Sequence, residues 1–304
     1  MSIDLTAVGR QAEPFVVSWS ETDAILYALG VGAGQANPAA ELAFTTENSK
    51  GITQQVLPAF AIPLLQTGIG RRIPFGDYPR GALVHAEQAI VAHRPIPASG
   101  SMRISARITG IYDKRSGALV RMEAVGEDAG TGEHLVTTRL GYFVRGYGGF
   151  DGPATPTETW EAPDREPDLT VTTETRADQA LLYRLSGDRN PLHSDPEFAT
   201  AAGFDRPILH GLCTYGVVAR ELVRVVCDGD PTLLDAMSAR FSKPVFPGDT
   251  LTTAVWIQNH TALFRTTTAR GVFVLDQGVL TRKRVPVARP EPVFADEAKN
   301  KEHS

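Results

Sequence analysis

Residues 183–216 read YRLSGDRNPLHSDPEFATAAGFDRPILHGLCTYG, and the patterns on either side are organised around this stretch. Pro191 biases the residue before it away from helical backbone angles, which predicts a loop here. A loop lets Asp188 and His193 turn their side chains to the same side. A carboxylate beside an imidazole can hold one water and exchange protons near neutral pH. The pattern therefore indicates a general acid–base pair, and the simpler alternative is a polar turn with an exposed histidine.

Four neighbouring residues are assigned supporting roles. Asn190 can hold the loop, or orient one member of the pair by hydrogen bonding. Ser194 and Glu197 have the spacing of a capping box, so a short helix is predicted to begin at SDPEF. Asp195 and the proline after it suit the first turn of that helix, which gives Asp195 a structural role.

A long helix is predicted after His210, because apolar residues recur there at helical spacing. Arg220, Glu221 and Arg224 are expected to form its solvent-exposed strip. The first N–H groups of a helix have no internal partner and lie at the positive end of its dipole. Gly211 at this position lets a ligand oxygen approach, as an oxyanion hole requires. A glycine that only permits close packing is the alternative.

A metal cluster is a further alternative for the same stretch. Its ligands would be Asp188, His193, Asp195 and His210. No helical or CxxC-type ligand spacing supports such a cluster, so no metal is expected.

Composition indicates a globular protein of about two domains. The chain has 304 residues, of which 42% are hydrophobic and 21% charged, and a net charge of -5. The absence of an extended basic run argues against a nucleic-acid partner. The sequence contains no apolar run of about 18 residues, so no membrane span is predicted. No targeting segment is recognised either, and the expected location is the cytoplasm. Cys213 and Cys227 lie about 21 Å apart along the predicted helix and are expected to be reduced.

The first half is predicted to contain a helix, a long loop and a meander of strands. After a loose entry over residues 1–14, Ser20 and Asp23 fit a capping box, and the helix is expected to stop at Gly30. Residues 35–81 are rich in Pro and Gly and are predicted to be irregular. Four strand patterns follow: ALVHAEQAIV, MRISARITGIY, ALVRMEAVG and LVTTRLGYFV.

The same order of elements then begins again. Residues 151–168 are predicted to be a linker, with Trp160 holding it against a domain surface. The segment TETRADQALLYRLSG is predicted to be a helix that leads into the quoted stretch. Four more strand patterns come after the long helix: MSARFSKPVFPG, DTLTTAVWIQN, ALFRTTTAR and VFVLDQGVLTRKR.

This order indicates an internal repeat. Tyr27 aligns with Tyr183, and Pro95 aligns with Pro244, at offsets that differ by only a few residues. After Gly30 the first copy has no acid and no imidazole where the second has the predicted pair. Any chemistry is therefore expected in the second copy, with the first copy shaping the substrate pocket.

The quoted stretch resembles the signature of the MaoC-like, R-specific enoyl-CoA hydratases (hydratase 2). The specific match is to the two-repeat form found in the peroxisomal multifunctional enzyme of β-oxidation and in stand-alone bacterial relatives. YALGVGAG, HAEQ, GYGGF and ARFSKPVFPG are similar to that family too, so the resemblance extends over nearly the whole chain. HAEQ departs from the expected HGEQ. The resemblance implies an α+β double hot dog, in which each repeat wraps a curved antiparallel sheet around one long helix.

The resemblance also implies a site and a reaction. Asp188 and His193 match the catalytic pair. Asn190 matches the residue that orients the pair, and Gly211 matches the oxyanion donor. The implied reaction is reversible hydration of a trans-2-enoyl-CoA to the (3R)-3-hydroxyacyl-CoA, with no cofactor because CoA is part of the substrate. The alternatives are a (3R)-hydroxyacyl dehydratase acting on acyl carrier protein, a hot-dog acyl-CoA thioesterase and a non-catalytic acyl-binding subunit.

The remaining expectations concern substrate binding and assembly. Arg206, Arg240 and Lys243 are candidates for binding the CoA phosphates, and His210 is also assigned to the substrate site. A homodimer is expected, whereas the length and branching of the acyl chain are not indicated. The expected boundaries are 1–150 for the first repeat, 151–168 for the linker, 169–290 for the catalytic repeat and 291–304 for a disordered tail.

Overall fold

Antiparallel strands and helices build both halves of the chain in a computed structural model that describes residues 2–66, 69–156 and 159–284. The strands are β1 (Ser2–Ile3), β2 (Phe15–Trp19), β3 (Gly76–Asp77), β4 (Leu83–Ala92), β5 (Gly100–Asp113), β6 (Gly117–Asp128), β7 (His134–Arg145), β8 (Leu169–Glu174), β9 (Leu234–Phe241), β10 (Thr250–Gln258), β11 (Thr261–Thr268) and β12 (Phe273–Arg282). The α-helices are α1 (Glu21–Gly30), α2 (Leu42–Thr45), α3 (Ala61–Gln66), α4 (Ile69–Arg72), α5 (Gln179–Tyr183), α6 (Pro196–Ala201) and α7 (Gly211–Val226).

One continuous antiparallel sheet joins the two halves, in the order β2-β5-β6-β7-β4-β9-β12-β11-β10-β8. Read inwards from its two edges, the sheet has the same connectivity twice: β8, β10, β11, β12 and β9 correspond to β2, β5, β6, β7 and β4. The halves meet where β4 pairs with β9 and Gln88 lies opposite Ala239. The eight strands expected from the sequence and their repeated order are therefore confirmed.

Helix α7 packs across the second half of the sheet and against the first repeat. The Tyr215 hydroxyl, fully buried, donates to the Met237 carbonyl of β9 at 2.8 Å. Gly216 faces α1 so closely that a Cβ there would lie 2.6 Å from the Tyr27 hydroxyl and 2.6 Å from Val31. Only glycine lets the helices of the two repeats approach to this distance, because real Cβ atoms do not make contacts that short.

Among its described residues, the first repeat has no helix as long as α7. The resemblance implied one long helix in each repeat, and residues 35–81 were expected to be irregular; the structure has α2, α3 and α4 there.

Two further expectations about local structure were wrong in part. Residues 1–14 include β1, which pairs with β3, and Arg10 forms an ion pair with Asp4 at 2.6 Å. The helix predicted over TETRADQALLYRLSG begins only at Gln179, where α5 starts, and the first two residues of the segment end the edge strand β8. The threonines of β8 suit an extended strand, and pairing with β10 decides the conformation there.

Several other expectations were confirmed. Helix α1 begins with the capping box of Ser20 and Asp23 and ends at Gly30. Trp160 donates from its indole N–H to the Gly278 carbonyl at 3.1 Å and so holds the connecting segment on the second repeat. Both cysteines are free and buried. Across the described ranges, no helix is both long and apolar enough to traverse a membrane. The domain boundaries stay predictions, and the tail at 291–304 lies outside the described residues.

A buried ion-pair cluster joins α7 to the first repeat. Arg220, expected on an exposed strip, is only 7% exposed, so that expectation was wrong. Its guanidinium donates to the Val31 carbonyl at 3.1 Å, to Glu41 at 2.7 Å and to Glu221 at 2.6 Å. Glu221, 8% exposed, also pairs with Arg224 at 2.7 Å. The charges are buried because they neutralise one another across the boundary between the repeats.

Replacing Arg220 is expected to destabilise the protein strongly. Arg220→Ala leaves Glu41 and Glu221 buried without their shared partner, which costs roughly 3–5 kcal/mol. Arg224→Ala is the matched control, because its side chain is 55% exposed and its pair is worth at most about 1 kcal/mol. The measurement is the urea midpoint of unfolding for both variants. Equal midpoints would contradict a role for this cluster in holding the repeats together.

Candidate active site

The loop that follows α5 is shaped by two hydrogen bonds, in which backbone N–H groups donate to side chains of the same loop. The Asp188 carboxylate accepts from the N–H of Asn190 at 3.1 Å. The Asn190 side-chain oxygen accepts from the N–H of Leu192 at 3.1 Å and caps the single 3-10 turn Pro191–His193. Asp and Asn favour such turns because their short side chains reach the backbone two residues on. The loop therefore fixes the Asp188 side chain relative to the turn that carries His193.

Helix α6 follows this turn, as the sequence predicted, but its cap is one residue later than expected. The Asp195 carboxylate accepts from the N–H groups of Glu197 and Phe198 at 2.9 and 3.2 Å. Ser194 therefore does not cap α6 in a box with Glu197, whereas the structural role predicted for Asp195 is confirmed.

The ring of His193 is buried and held in one orientation. Its Nδ1 lies 2.9 Å from the Ile208 carbonyl oxygen. A carbonyl only accepts, so Nδ1 carries the hydrogen and Nε2 of the neutral ring keeps its lone pair. Burial lowers the pKa of His193, and the Ile208 bond and the Asp188 charge oppose that effect. Near neutral pH the ring is thus a proton acceptor at Nε2.

Asp188, His193 and His210 converge on one point. One carboxylate oxygen and one nitrogen from each ring all lie within 4.8 Å of one another. The predicted acid–base pair therefore has its two members side by side. Two imidazoles and a carboxylate are also a donor set that divalent cations use, and the expectation that no metal takes part stays a prediction.

His210 lies next to this pair and is almost completely buried, with 1% exposure. Its Nε2 donates to the Asp188 carbonyl oxygen at 3.1 Å, and its ring stacks on His193 with centroids 3.7 Å apart. Burial, with a smaller contribution from the neighbouring His193, lowers the pKa of His210 to about 2. The ring is therefore neutral at physiological pH. Its predicted contact with substrate stays a prediction.

Gly211 is the first residue of α7, as predicted, so its N–H has no acceptor within the helix. A Cβ at this position would lie 3.2 Å from the ring of Phe241 at the end of β9. The glycine thus leaves room at the helix start and keeps an aromatic ring beside it. This placement suits a backbone donor for an oxyanion.

The first repeat contributes two side chains that the sequence reading did not select. The ring of His85 lies 5.1 Å from that of Phe241 and 5.3 Å from that of Tyr142, measured between centroids. Burial lowers the pKa of His85 to about 4 and raises that of Tyr142; the Asp188 charge acts on both groups. His85 belongs to the HAEQ segment, but no spacing in the sequence connects it with residues a hundred positions away.

The three candidate cations lie in different settings. Arg206 is exposed, with its guanidinium 4.9 Å from the centre of the Phe246 ring. Arg240 donates to Gln277 at 3.2 Å and lies 3.7 Å from Glu87, so its charge is partly compensated. Lys243 is exposed and forms no ion pair with the described part of the chain. Their predicted role in CoA binding stays a prediction.

Both halves of the chain match known protein families. Residues 17–146 match the MFE-2 hydratase 2 N-terminal domain, and residues 156–277 match the MaoC like domain. The chain is 45% identical to 3-hydroxyacyl-thioester dehydratase Y of Mycobacterium tuberculosis strain H37Rv, over 92% of this chain and 98% of the relative. It is 44% identical to enoyl-CoA hydratase ChsH3 of the same organism, over 84% of this chain and 90% of the relative.

A solved structure is similar over nearly the whole fold. The MaoC-like dehydratase of Phytophthora capsici superposes with a TM-score of 0.82 at 28% identity, covering 95% of this chain and 100% of the other. The α+β double hot dog is therefore confirmed.

The buried, neutral His210 is expected to make stability depend on pH. Its pKa is about 2 in the folded protein and about 6.5 in an unfolded chain, so between these values only the unfolded state binds the proton. Lowering the pH from 6.5 towards 2 therefore destabilises the fold, by up to about 1.4 kcal/mol per pH unit from this group. His210→Gln should reduce that slope in urea unfolding series at pH 5 to 7.

His134→Gln is the control for this measurement, because it removes a ring whose side chain is 60% exposed. The slope of His134→Gln should equal that of the wild type. A His210→Gln slope that also equals the wild type would contradict a neutral, buried His210.

Proposed function

This chain belongs to the MaoC-like family, in the two-repeat form with a hydratase 2 N-terminal domain, and we propose that it reversibly hydrates a trans-2-enoyl-CoA to the (3R)-3-hydroxyacyl-CoA. The observation that carries the proposal is the Asp188 carboxylate within 4.8 Å of a His193 ring nitrogen, next to the start of α7. The names of the two relatives, a hydratase and a 3-hydroxyacyl-thioester dehydratase, describe opposite directions of this kind of reaction.

The proposed reaction begins with one water held by Asp188 and His193. As its oxygen attacks C3 of the enoyl group, the pair takes one proton from the water, and the C2–C3 π electrons move towards the thioester carbonyl. The pair then returns a proton to C2 from the same face, so that H and OH are added across the double bond and nothing else is consumed. The Nε2 lone pair of His193 supports a proton-accepting role. The proposal assigns the accepted proton to the pair and not to one of its members.

Charge on the thioester oxygen is highest between these two steps. In the proposal, the N–H of Gly211 donates to that oxygen at the positive end of the α7 dipole. A donor of this kind typically stabilises the transition state by about 3–4 kcal/mol. Asn190 acts indirectly, because it caps the turn that presents His193.

Two exposed cations are proposed to bind the phosphates of CoA. Arg206 and Lys243 have charges that the protein does not pair among the described residues. Arg240 is a weaker candidate, since Glu87 lies 3.7 Å away. A homodimer and a cytoplasmic location are kept as predictions, which light scattering and cell fractionation would test.

Dehydration of a (3R)-hydroxyacyl group on acyl carrier protein is the second candidate. The name of the 45% identical relative specifies a thioester without specifying its carrier, and the chemistry at C2 and C3 would be the same. The carrier is therefore the property that separates the two proposals.

Loss of either member of the pair is expected to abolish turnover. Asp188→Asn and His193→Ala should each reduce the hydration rate by roughly 10³-fold or more, because proton transfer contributes up to about 10⁴-fold. The rate is followed as loss of absorbance at the enoyl conjugation band. Asp195→Asn is the matched control, since Asp195 only caps α6, and it should retain activity. Near-wild-type turnover in either pair variant would refute the assignment.

The substrate is expected to be a trans-2-enoyl thioester of CoA, and the product is expected to have the R configuration at C3. Crotonyl-, decenoyl- and steroid enoyl-CoA are compared with the matching acyl carrier protein thioesters, and the products are resolved on a chiral column. The proposal expects higher kcat/KM for CoA and a (3R) product. A preference for acyl carrier protein would favour the dehydratase. Release of free thiol, without a reversible absorbance change, would indicate a thioesterase instead.

A further inference from the structure

His210 contacts both members of the predicted pair through different interactions. Its Nε2 hydrogen bond reaches the backbone carbonyl of Asp188 at 3.1 Å. Its ring lies parallel to that of His193, with centroids 3.7 Å apart and planes inclined by 28°. Tyr183 packs against the same ring at 5.0 Å. A single side chain thus connects the loop that carries the carboxylate with the turn that carries the imidazole.

The hydrogen-bond pattern fixes the tautomer of His210. Since the Asp188 carbonyl can only accept, the hydrogen is on Nε2 and the lone pair is on Nδ1. Nδ1 is buried and has no hydrogen-bond partner within the described residues.

We infer that His210 is a positioning residue, which holds Asp188 and His193 at the mutual geometry that proton transfer needs. The inference rests on the proposed function for its activity readout. It differs from the substrate-binding role predicted from the sequence, because 1% exposure leaves the ring almost no surface for a substrate. Displacing a catalytic group by about 1 Å can reduce turnover about 10²-fold.

The stacking of His210 on His193 is also compatible with a positive charge on His193 during turnover. A proton taken from water gives His193 a positive charge during turnover if the proton rests on the ring. The neutral face of His210 lies against it, so no second charge repels this state. A lysine or arginine at the same place would oppose it, and an alanine would remove the stacking support on that face of the His193 ring.

The test uses the intact chain with His210→Ala and its rescue by imidazole. The variant leaves a cavity that imidazole fits, and bound imidazole restores both the stacking and the N–H donor. We expect kcat to fall about 10²-fold with KM changed less than about twofold, and imidazole to restore at least tenfold. Neutral 1-methylimidazole, which has no N–H, should restore less. His134→Ala, an exposed histidine, controls for unspecific effects of imidazole.

A second variant and a second readout keep the test decisive. His210→Phe fills the cavity and keeps a stacking ring but cannot donate to Asp188, so it should have reduced kcat even if His210→Ala does not fold. A ligand-free crystal structure of His210→Ala should show the Asp188 carboxylate more than 4.8 Å from the nearest His193 ring nitrogen, whereas in the wild type the two groups lie within 4.8 Å. This second readout does not depend on enoyl-CoA, so a failure of the proposed function can be told apart from a failure of this inference.

Three outcomes would overturn the inference. The first is wild-type kcat in both His210 variants. The second is a raised KM at constant kcat, which would indicate direct contact with substrate. The third is a folded His210→Ala that imidazole binds without restoring activity or the distance between Asp188 and His193.

Discussion

The pairing of β4 with β9 is the contact on which the rest of the structure depends. It joins five strands of one repeat to five of the other, so these ten strands form one continuous sheet along a single core cluster. Glu87 lies opposite Arg240 in this pairing, and Gln88 opposite Ala239. Because the register fixes both ends of these strands, it brings His85 on β4 close to Phe241 on β9. The site between the repeats is therefore a consequence of strand register.

Burial determines the electrostatics around this junction. Arg220, Glu41 and Glu221 are charged and buried, and they neutralise one another at distances below 3 Å. The histidines near the loop are buried without a charge, because burial lowers their pKa values and leaves the rings neutral. Asp188 is the partly exposed acid among them. The loop thus combines one solvated carboxylate with imidazoles that accept protons.

Local patterns were sufficient to predict much of the fold. Strand periodicity gave the two meanders, and the capping box of Ser20 and Asp23 located α1, since both signals depend on residues close together in the chain. The pair Asp188 and His193 could be predicted for the same reason. Burial of Arg220 was missed, because a charged residue reads as exposed unless its partner is known, and Glu41 is far away in sequence. His85 and the stacking of His210 were missed too, since both depend on tertiary contacts.

Gly216 and the short helices of the first repeat show that the halves are alike in topology and unlike in detail. In a symmetric pair of identical chains, every substitution occurs twice, so a change that suits one face of an interface is also imposed on the other. Here each side of the junction is encoded separately. The face that holds Asp188 and the face that holds His85 can therefore vary independently, and a bulkier or narrower ligand can be accommodated by changing one half without altering the residues that carry protons.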